Sequence, residues 1–319
     1  MSLDTGATDA HHCCPICGSA LGASGRKFSL EELLALWKPV VFSSATIEEH
    51  KRQSEYTQLY VCPVCNLGIY LPQIIGTSNF YVDLLKYENV YAYSKEKWEF
   101  GEAIKDASGC GSVIEIGCGP GNFLEKLKSV VENVYGTEYN EHALGLARSK
   151  GFSVFGIGDR KAEQLKGKCD IAFSFHVLEH VPDTVNFIRE MFSWVGIDGK
   201  VGISVPNMGG PVRYINPCVS NMPPHHATLW SLQTFEVLAE KCGYKVERFA
   251  YEPLLVQQHW YYSNYWFEAT FSGNSLLMKV TRSIVSRVLS VFFRVCVLLG
   301  KESISWLRGQ SIYILLSKK

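Results

Sequence analysis

The chain has 319 residues, of which 47% are hydrophobic and 13% aromatic, which is enough to bury one large α/β core and a smaller unit and argues against disorder. Lysine and arginine together number 31, as do aspartate and glutamate, so the formal net charge is zero. A protein that binds nucleic acid usually carries a basic excess that neutralises phosphates. The balance therefore argues against RNA or DNA as the main substrate.

Cysteine usage and the N-terminus bear on the cellular location. Residues 1–19 show no signal-peptide pattern, and no run of 18 or more uncharged apolar residues predicts a spanning helix. The eleven cysteines are then expected to be reduced thiols or metal ligands. Together these features predict a cytoplasmic protein.

Two matching C-x-x-C turns lie in the first 72 residues. Each turn brings two thiolates together, and two turns supply the four sulfurs of a tetrahedral zinc site. The 44 residues between them exceed the usual spacing, but they include a predicted helix over Leu30–Trp37 and so can fold. A redox pair or scattered buried thiols are the alternatives. The sequence predicts a structural zinc ion bound by Cys14, Cys17, Cys62 and Cys65.

Short β-branched runs alternate with helical runs between Gly109 and about Pro253, after an aromatic and charged segment, 73–108, whose latter part has helical spacing. Such alternation is typical of βαβ units, which build a mostly parallel sheet with helices on both faces. The predicted strands are Ser112–Ile116, Asn133–Thr137, Phe152–Phe155, Asp170–Phe175, Lys200–Val205, Lys245–Tyr251 and Ser311–Ser317, and the predicted helices include Asn122–Val131, Glu141–Lys150, Thr184–Trp194 and Ser231–Cys242.

A helical insertion, 254–308, is predicted before the last strand, 309–319. Within residues 276–299, lysine, serine and arginine recur at helical spacing as one narrow polar stripe, and the wide remaining face is apolar. Such a helix either packs in a dimer or lid interface or lies on a membrane surface. A homodimer and a peripheral membrane contact through 276–299 are therefore both expectations.

A glycine-rich turn follows the first strand of the α/β segment. Residues 117–121 read Gly-Cys-Gly-Pro-Gly, and a helix is predicted to begin at Asn122. Glycines let the backbone approach a ligand closely, and a helix N-terminus offers free N–H groups. The alternative is a turn that merely connects strand and helix.

Two acidic residues follow the next two strands. Glu138 closes the second strand, 17 positions beyond Gly121, where a carboxylate can accept hydrogen bonds from both ribose hydroxyls. Asp159 lies just past the third strand, where it could accept from an adenine amino group. Because open α/β sheets bind ligands at the carboxyl ends of their strands, the turn and both acids together predict a nucleotide site.

The same segment resembles a known family. Residues 115–121, Glu-Ile-Gly-Cys-Gly-Pro-Gly, resemble the first motif of class I S-adenosylmethionine-dependent methyltransferases. Residues 170–183, which contain Val-Leu-Glu-His-Val, are similar to a later motif, and residues 223–244 are similar to the small-molecule branch. An NAD-dependent dehydrogenase is the competitor, but its G-x-G-x-x-G turn would place glycine where Asn122 stands.

This resemblance implies a Rossmann-like α/β fold with a mostly parallel seven-stranded sheet and S-adenosylmethionine as cofactor. A small zinc-ribbon-like module, 1–72, and a linker or lid, 73–108, would precede the cofactor-binding domain, 109–253. The lid would use Tyr87, Tyr91, Tyr93 and Trp98, with plain core as the alternative. By the resemblance, Glu115 would orient the turn or reach the amino group of the cofactor, and Tyr139 would cover the adenine. The residues of the cofactor site that the resemblance implies are Glu115, Gly117, Gly119, Gly121, Glu138, Tyr139, Asp159 and Phe175.

Methyl transfer from a sulfonium is an in-line displacement that depends on positioning, and a neutral nucleophile also needs a base. His176, His225 and His226 are the predicted catalytic residues; for the last two, a turn with hydrogen-bonding side chains is the alternative. Glu179 and His180 are predicted to be structural, at the start of the next helix. Ubiquinone-pathway O-methyltransferases, which the segment resembles, can hold a divalent metal through Glu-x-x-Glu-His, but His176 departs from that pattern.

The leading hypothesis is an enzyme that methylates a small molecule or a sugar or glycan intermediate. A comparable N-terminal zinc unit in some sugar C-methyltransferases favours a sugar substrate. One alternative is an RNA methyltransferase whose zinc module grips RNA. The other is a non-catalytic protein that binds S-adenosylmethionine.

Overall fold

The computed structural model describes residues 12–87, 89–90, 95–156, 158–215, 217–255, 276–299 and 303–319. These residues form a four-stranded antiparallel sheet and a seven-stranded mixed sheet. The N-terminal elements are β1 (Gly22–Ser29), α1 (Leu30–Ala35), α2 (Ser44–Gln53), β2 (Tyr56–Val61), β3 (Gly68–Leu71), α3 (Ser78–Leu85) and α4 (Trp98–Ala107).

The large sheet and its helices follow in chain order. They are β4 (Ser112–Ile116), α5 (Asn122–Leu127), β5 (Asn133–Thr137), α6 (Glu141–Ser149), β6 (Ser153–Phe155), α7 (Arg160–Glu163), β7 (Cys169–Phe175), α8 (Thr184–Trp194), β8 (Val195–Pro206), β9 (Thr228–Leu229), α9 (Leu232–Cys242), β10 (Tyr244–Leu255), α10 (Leu276–Leu298) and β11 (Ser303–Lys318).

The order of strands in the large sheet is β10-β11-β8-β7-β4-β5-β6. Neighbours from β8 to β6 run parallel, whereas β11 is antiparallel to both β8 and β10. Neighbouring residues of β4 pack on opposite faces, because Val113 contacts a core with Phe123 of α5 and Ile114 contacts a core with Ile188 of α8. The predicted mostly parallel sheet between helices is therefore confirmed.

The last hairpin is longer than its sequence indicates. β11 begins at Ser303 rather than at residue 309, because Leu254 pairs with Ile304 and Leu255 with Ser303. Residues 254–255 and 303–308, the two ends of the predicted helical insertion, therefore belong to the strands of this hairpin. Residues 256–275 and 300–302 of that insertion lie outside the described residues.

The N-terminal sheet is joined to the loop that precedes α9. β9 pairs with β3, although more than 150 residues separate them in the chain. The Thr234 hydroxyl donates to the Cys65 carbonyl at 2.9 Å, and the Gln233 amide donates to the Val64 carbonyl at 2.8 Å. Cys65 also shares a buried core with Trp230 and with Phe235 and Leu238 of α9. The N-terminal segment thus packs directly on the α/β domain.

Helix α10 packs through one edge only among the described residues. Phe293, with Leu289 and Cys296 beside it, contacts Leu254 and Leu307. A stripe on the opposite side is exposed, and no helix of the described chain is long and apolar enough to span a membrane. The contact of this stripe with a membrane surface or a second copy stays a prediction. The exposed stripe consists of Val280, Ile284, Val288, Val291, Val295 and Leu298.

An ion-pair network holds α4 against the last hairpin. The Arg248 guanidinium donates to both carboxylate oxygens of Asp106 and to Glu102, each at 2.8 Å, and the Tyr313 hydroxyl donates to Asp106 at 2.8 Å. Bidentate, charge-assisted bonds of this kind are stronger than exposed ion pairs. We expect Arg248→Ala to lower the free energy of unfolding by about 2 kcal/mol, because Asp106 loses its cation.

Urea denaturation measures this effect, with Lys245→Ala as the control. Lys245 forms an exposed ion pair with Glu247 on the same strand, 3.3 Å long, and its loss should change stability by no more than about 0.5 kcal/mol. Equal effects of the two substitutions would contradict a structural role of the network.

Candidate active site

The glycine-rich turn between β4 and α5 has a backbone that side chains rarely adopt. Gly117, Gly119 and Gly121 have φ angles of 75°, 54° and 80°. The N–H groups of Gly117 and Cys118 donate to the Thr137 carbonyl at 2.9 and 3.0 Å, which fixes the turn against β5. A Cβ at Gly117 would lie 2.6 Å from a methyl of Val177. Glycine is therefore required at this position.

Glu138 joins the turn to the next helix. One carboxylate oxygen accepts from the Gly119 N–H and the other from the Asn140 N–H, each at 2.7 Å. Glu115, inside β4, is fully buried, and burial raises the pKa of its carboxyl well above the usual range, against the opposing charge of Lys97. Two acids thus lie on either side of the turn.

A cavity of about 800 Å³ opens at the carboxyl ends of β4, β5 and β7. Asp159 caps α7 by accepting from the Lys161 N–H at 2.9 Å, and Tyr139 is 70% exposed at the cavity edge. Gly121 is not among the residues that line the cavity; it is the N-cap of α5. Of the predicted cofactor-site residues, the cavity is lined by Glu115, Gly117, Gly119, Glu138, Tyr139, Asp159 and Phe175.

Four histidines also line this cavity, and we call them the histidine cluster: His176, His180, His225 and His226. The rings of His225 and His226 stack with centroids 4.3 Å apart, and the His180 ring lies 4.8 Å from each. Burial lowers the pKa of these three rings. The structure thus brings all three predicted catalytic histidines together.

His180 lies in this cluster, although the sequence predicts a structural role at a helix start. Residues Leu178–His180 form a 3-10 turn, and the α-helix begins only at Thr184. The turn directs His180 towards the cavity, where its Nδ1 lies 3.1 Å from the Tyr81 hydroxyl. The 3-10 geometry therefore adds a site residue that helical spacing does not indicate.

His176 lies between two buried carboxylates. Its Nε2 is 2.8 Å from Glu99 and its Nδ1 is 3.3 Å from Glu179, and its backbone φ is 56°. Burial alone would lower the pKa of His176, but the hydrogen bonds with Glu179 and Glu99 raise it to about 9. Glu99 is not among the site residues predicted from the sequence. The only sequence feature that marks it is its position as an acidic residue beside the apolar residues of α4.

Part of the predicted linker or lid, 73–108, lines the cavity, but it does so through α3 and the residues just before it rather than through Tyr87 or Trp98. Gly76, Ser78 and Tyr81 line the cavity. Trp98 packs against the core, and the Tyr87 hydroxyl accepts from the Val41 N–H at 3.2 Å; neither lines the large cavity. Tyr91 and Tyr93 lie outside the described residues.

The four predicted zinc ligands lie together. The sulfur of Cys14 is 3.4 Å from that of Cys65, and the sulfur of Cys17 is 3.4 Å from that of Cys62. Thiolates on one tetrahedral zinc ion stand about 3.8 Å apart, so the four sulfurs fit such an ion after a small expansion. Cys13 is exposed and is not part of the tetrad.

Comparison with known proteins identifies the family of the α/β domain. Residues 89–248, half of the chain, match the methyltransferase domain family. The chain therefore belongs to the S-adenosylmethionine-dependent methyltransferases, as its resemblance implies.

Two curated relatives share part of this domain. The ubiquinone biosynthesis O-methyltransferase of Pseudomonas aeruginosa is 32% identical over 110 residues, 32% of this chain and 47% of the relative. A probable S-adenosylmethionine-dependent methyltransferase of Mycolicibacterium smegmatis is 25% identical over 138 residues, 42% of this chain and 52% of the relative. The chain spans about half the length of the curated relatives it matches.

Solved structures with a similar fold include an S-adenosylmethionine-dependent methyltransferase from Archaeoglobus fulgidus. It is 19% identical with a TM-score of 0.46, and the match covers 74% of this chain and 99% of that chain. The phosphoethanolamine N-methyltransferase 2 of Haemonchus contortus is 16% identical with a TM-score of 0.47, over 76% of this chain and 58% of that chain.

Proposed function

We propose that this protein transfers a methyl group from S-adenosylmethionine to a small molecule or to a sugar or glycan intermediate. The observation that carries the proposal is the shared cavity, which is lined by both the glycine-rich turn and the histidine cluster. Its volume of about 800 Å³ is typical of small-molecule sites. Such a volume suits a nucleoside cofactor beside a compact acceptor.

The cofactor end is assigned from the geometry of the turn. We assign Gly117 and Gly119 to the close approach of the backbone to the cofactor, and the Glu138 carboxylate to the ribose hydroxyls. We assign the adenine to the space between Tyr139 and Asp159, and the cofactor's amino group to Glu115. When bound, the cofactor supplies an electrophilic methyl on a sulfonium, and the residues of the chain orient it for an in-line attack.

The acceptor end is assigned to the histidine cluster. Both ring nitrogens of His176 face carboxylates, so we assign this residue a positioning role. His225 and His226, together with His180, border the open cavity and are assigned to the acceptor. Their task is to hold the nucleophilic atom towards the methyl and to make it a better nucleophile.

We also propose that Cys14, Cys17, Cys62 and Cys65 bind a structural zinc ion. Four thiolates fill a tetrahedral site and leave no position for a substrate. Three of the four cysteines are buried in the same core as residues of α9, which supports a role in folding rather than in the reaction.

Isothermal titration calorimetry with S-adenosylmethionine is the first test, and we expect one binding site per chain. In a second step, S-adenosylmethionine with a radiolabelled methyl group is incubated with the protein and a cell extract. The label should appear in the fraction that passes an ultrafiltration membrane. If the parent chain did not bind S-adenosylmethionine, the proposal would be refuted. If the radiolabel were found only in RNA, the alternative function of an RNA methyltransferase would be favoured.

A further inference from the structure

The exposed stripe of α10 is a continuous row of aliphatic side chains. Its members recur every three or four residues from Val280 to Leu298, so they lie on one face of the helix. At 1.5 Å per residue, the row is about 27 Å long. Val288 in its middle is 61% exposed, and Leu298 at its end is 85% exposed. Single exposed aliphatic residues are common, whereas a row of this length marks a surface that binds a partner.

The packed side of α10 determines the direction of the stripe. Phe293 is buried and contacts Leu254 and Leu307 of the last hairpin. Leu289 and Cys296, about one turn away on either side of Phe293, pack against the same contact. Because these residues occupy the opposite side of the helix, the stripe points away from the described part of the chain to which α10 is attached.

Two arginines border the stripe. Arg287 lies four residues before Val291, and Arg294 lies four residues before Leu298, so each is one helical turn from a member of the stripe. Both arginines are exposed, and neither forms an ion pair with a residue that the structure describes. Residues 276–299 contain four basic residues and no acidic residue. The helix therefore combines its apolar surface with positive charge that it does not neutralise itself.

We propose that α10 binds the surface of a membrane that contains anionic phospholipids. The helix lies in the plane of this membrane, with the exposed stripe at the boundary between head groups and acyl chains. Arg287 and Arg294 reach the phosphates of the head groups, because long basic side chains can extend from an apolar surface to a charged layer. Anionic lipids thus bury the stripe and also supply the negative charge that the arginines lack.

A second copy of the chain fits this surface less well. Most homodimers have two-fold symmetry, so the same patch of each protomer faces itself across the interface. Two α10 helices packed through their stripes would bring the exposed arginines of both copies together, and the helix has no carboxylate to pair with them. Like charges at close range oppose association. A phosphate surface removes this repulsion, which favours lipid as the partner.

Flotation with lipid vesicles tests the proposal on the full chain. We expect the protein to float with vesicles of phosphatidylcholine and phosphatidylglycerol, and to bind vesicles of phosphatidylcholine alone at least about tenfold more weakly. Added salt should weaken the binding, because it screens the attraction between arginines and head groups. The assay needs neither cofactor nor acceptor, so its result does not depend on the proposed methyl transfer.

Two pairs of variants separate the stripe from the arginines. Val288→Glu places a charge in the stripe and should weaken vesicle binding at least about tenfold. Ile197→Glu, which changes an apolar residue of β8 that is 80% exposed, is its control and should bind as the parent does. Arg287→Glu combined with Arg294→Glu should abolish the preference for phosphatidylglycerol. Arg287→Lys combined with Arg294→Lys keeps the charge and should keep the preference.

Three results would overturn the proposal. The first is a parent chain that floats with neither kind of vesicle, or equally with both. The second is a Val288→Glu protein that binds vesicles as strongly as the parent. The third is a dimer, detected by light scattering without lipid, that Val288→Glu dissociates, because a second copy would then cover the stripe. The parent measurement decides the question even if a variant does not fold.

Discussion

Gly117→Ala is expected to weaken the binding of S-adenosylmethionine by at least about tenfold, which corresponds to about 1.4 kcal/mol. The added methyl would lie 2.6 Å from Val177, so either the turn or Val177 must move. Both residues line the cavity, and the turn also carries the Gly119 N–H that holds Glu138. Displacement of the turn therefore disturbs the cofactor end directly.

Gly243→Ala is a matched control for this substitution. Gly243 has a φ of 76°, against 75° for Gly117, and a Cβ there would meet no atom within 4 Å. Both variants should lose about 1 kcal/mol of stability from the strained backbone. Only Gly117→Ala should lose affinity in calorimetric titration. A folded Gly117→Ala protein with the affinity of the parent would contradict the assignment of the turn to the cofactor.

The geometry of the glycine-rich turn and its contact with Glu138 could be predicted because their signals are local. Strand, turn, helix and the acid after the next strand follow one another within about 30 residues, and their periodicity and glycines determine the backbone. The predicted strands Ser112–Ile116 and Asn133–Thr137 and the helix Thr184–Trp194 coincide with the observed elements. Parallel pairing then brings Glu138 next to Gly119 without further information.

The surroundings of the histidine cluster could not be predicted in the same way, because their contacts join distant parts of the chain. His176 and Glu99 are 77 residues apart, and Tyr81 and His180 are 99 residues apart. No spacing rule connects these pairs; they meet because α4 packs against β7 and the last hairpin, and because Tyr81 of α3 contacts the 3-10 turn that follows β7. The role of His180 also depends on a 3-10 turn rather than the expected helix start. Tertiary packing determines this half of the cavity.

Cys17→Ser is expected to release zinc and to loosen the histidine cluster while leaving cofactor affinity within about threefold of the parent. The binding of a structural zinc ion contributes an apparent folding free energy of about 10–16 kcal/mol to a small module, which is more than such a module gains from its own hydrophobic core. The β3 strand pairs with β9, and the Tyr70 N–H donates to the Ala227 carbonyl at 3.0 Å. Ala227 directly follows His226, so loss of the zinc site should reach the acceptor end first.

Hydrogen exchange measured by mass spectrometry would follow this effect, since the acceptor molecule need not be known. Peptides that contain Tyr70 and Ala227 should exchange faster in Cys17→Ser, while peptides of β4 and β5 keep their protection. Cys13→Ser changes the neighbouring thiol, which is not one of the four ligands, and should leave zinc content and exchange unchanged. Unaltered exchange at Ala227 after zinc loss would show that the tetrad does not support the histidine cluster. The pairing of β3 with β9 and the hydrogen bond from Thr234 to Cys65 both join the segment that holds the four cysteines to the chain that follows His226. We therefore expect the four cysteines to support the acceptor side of the cavity alone.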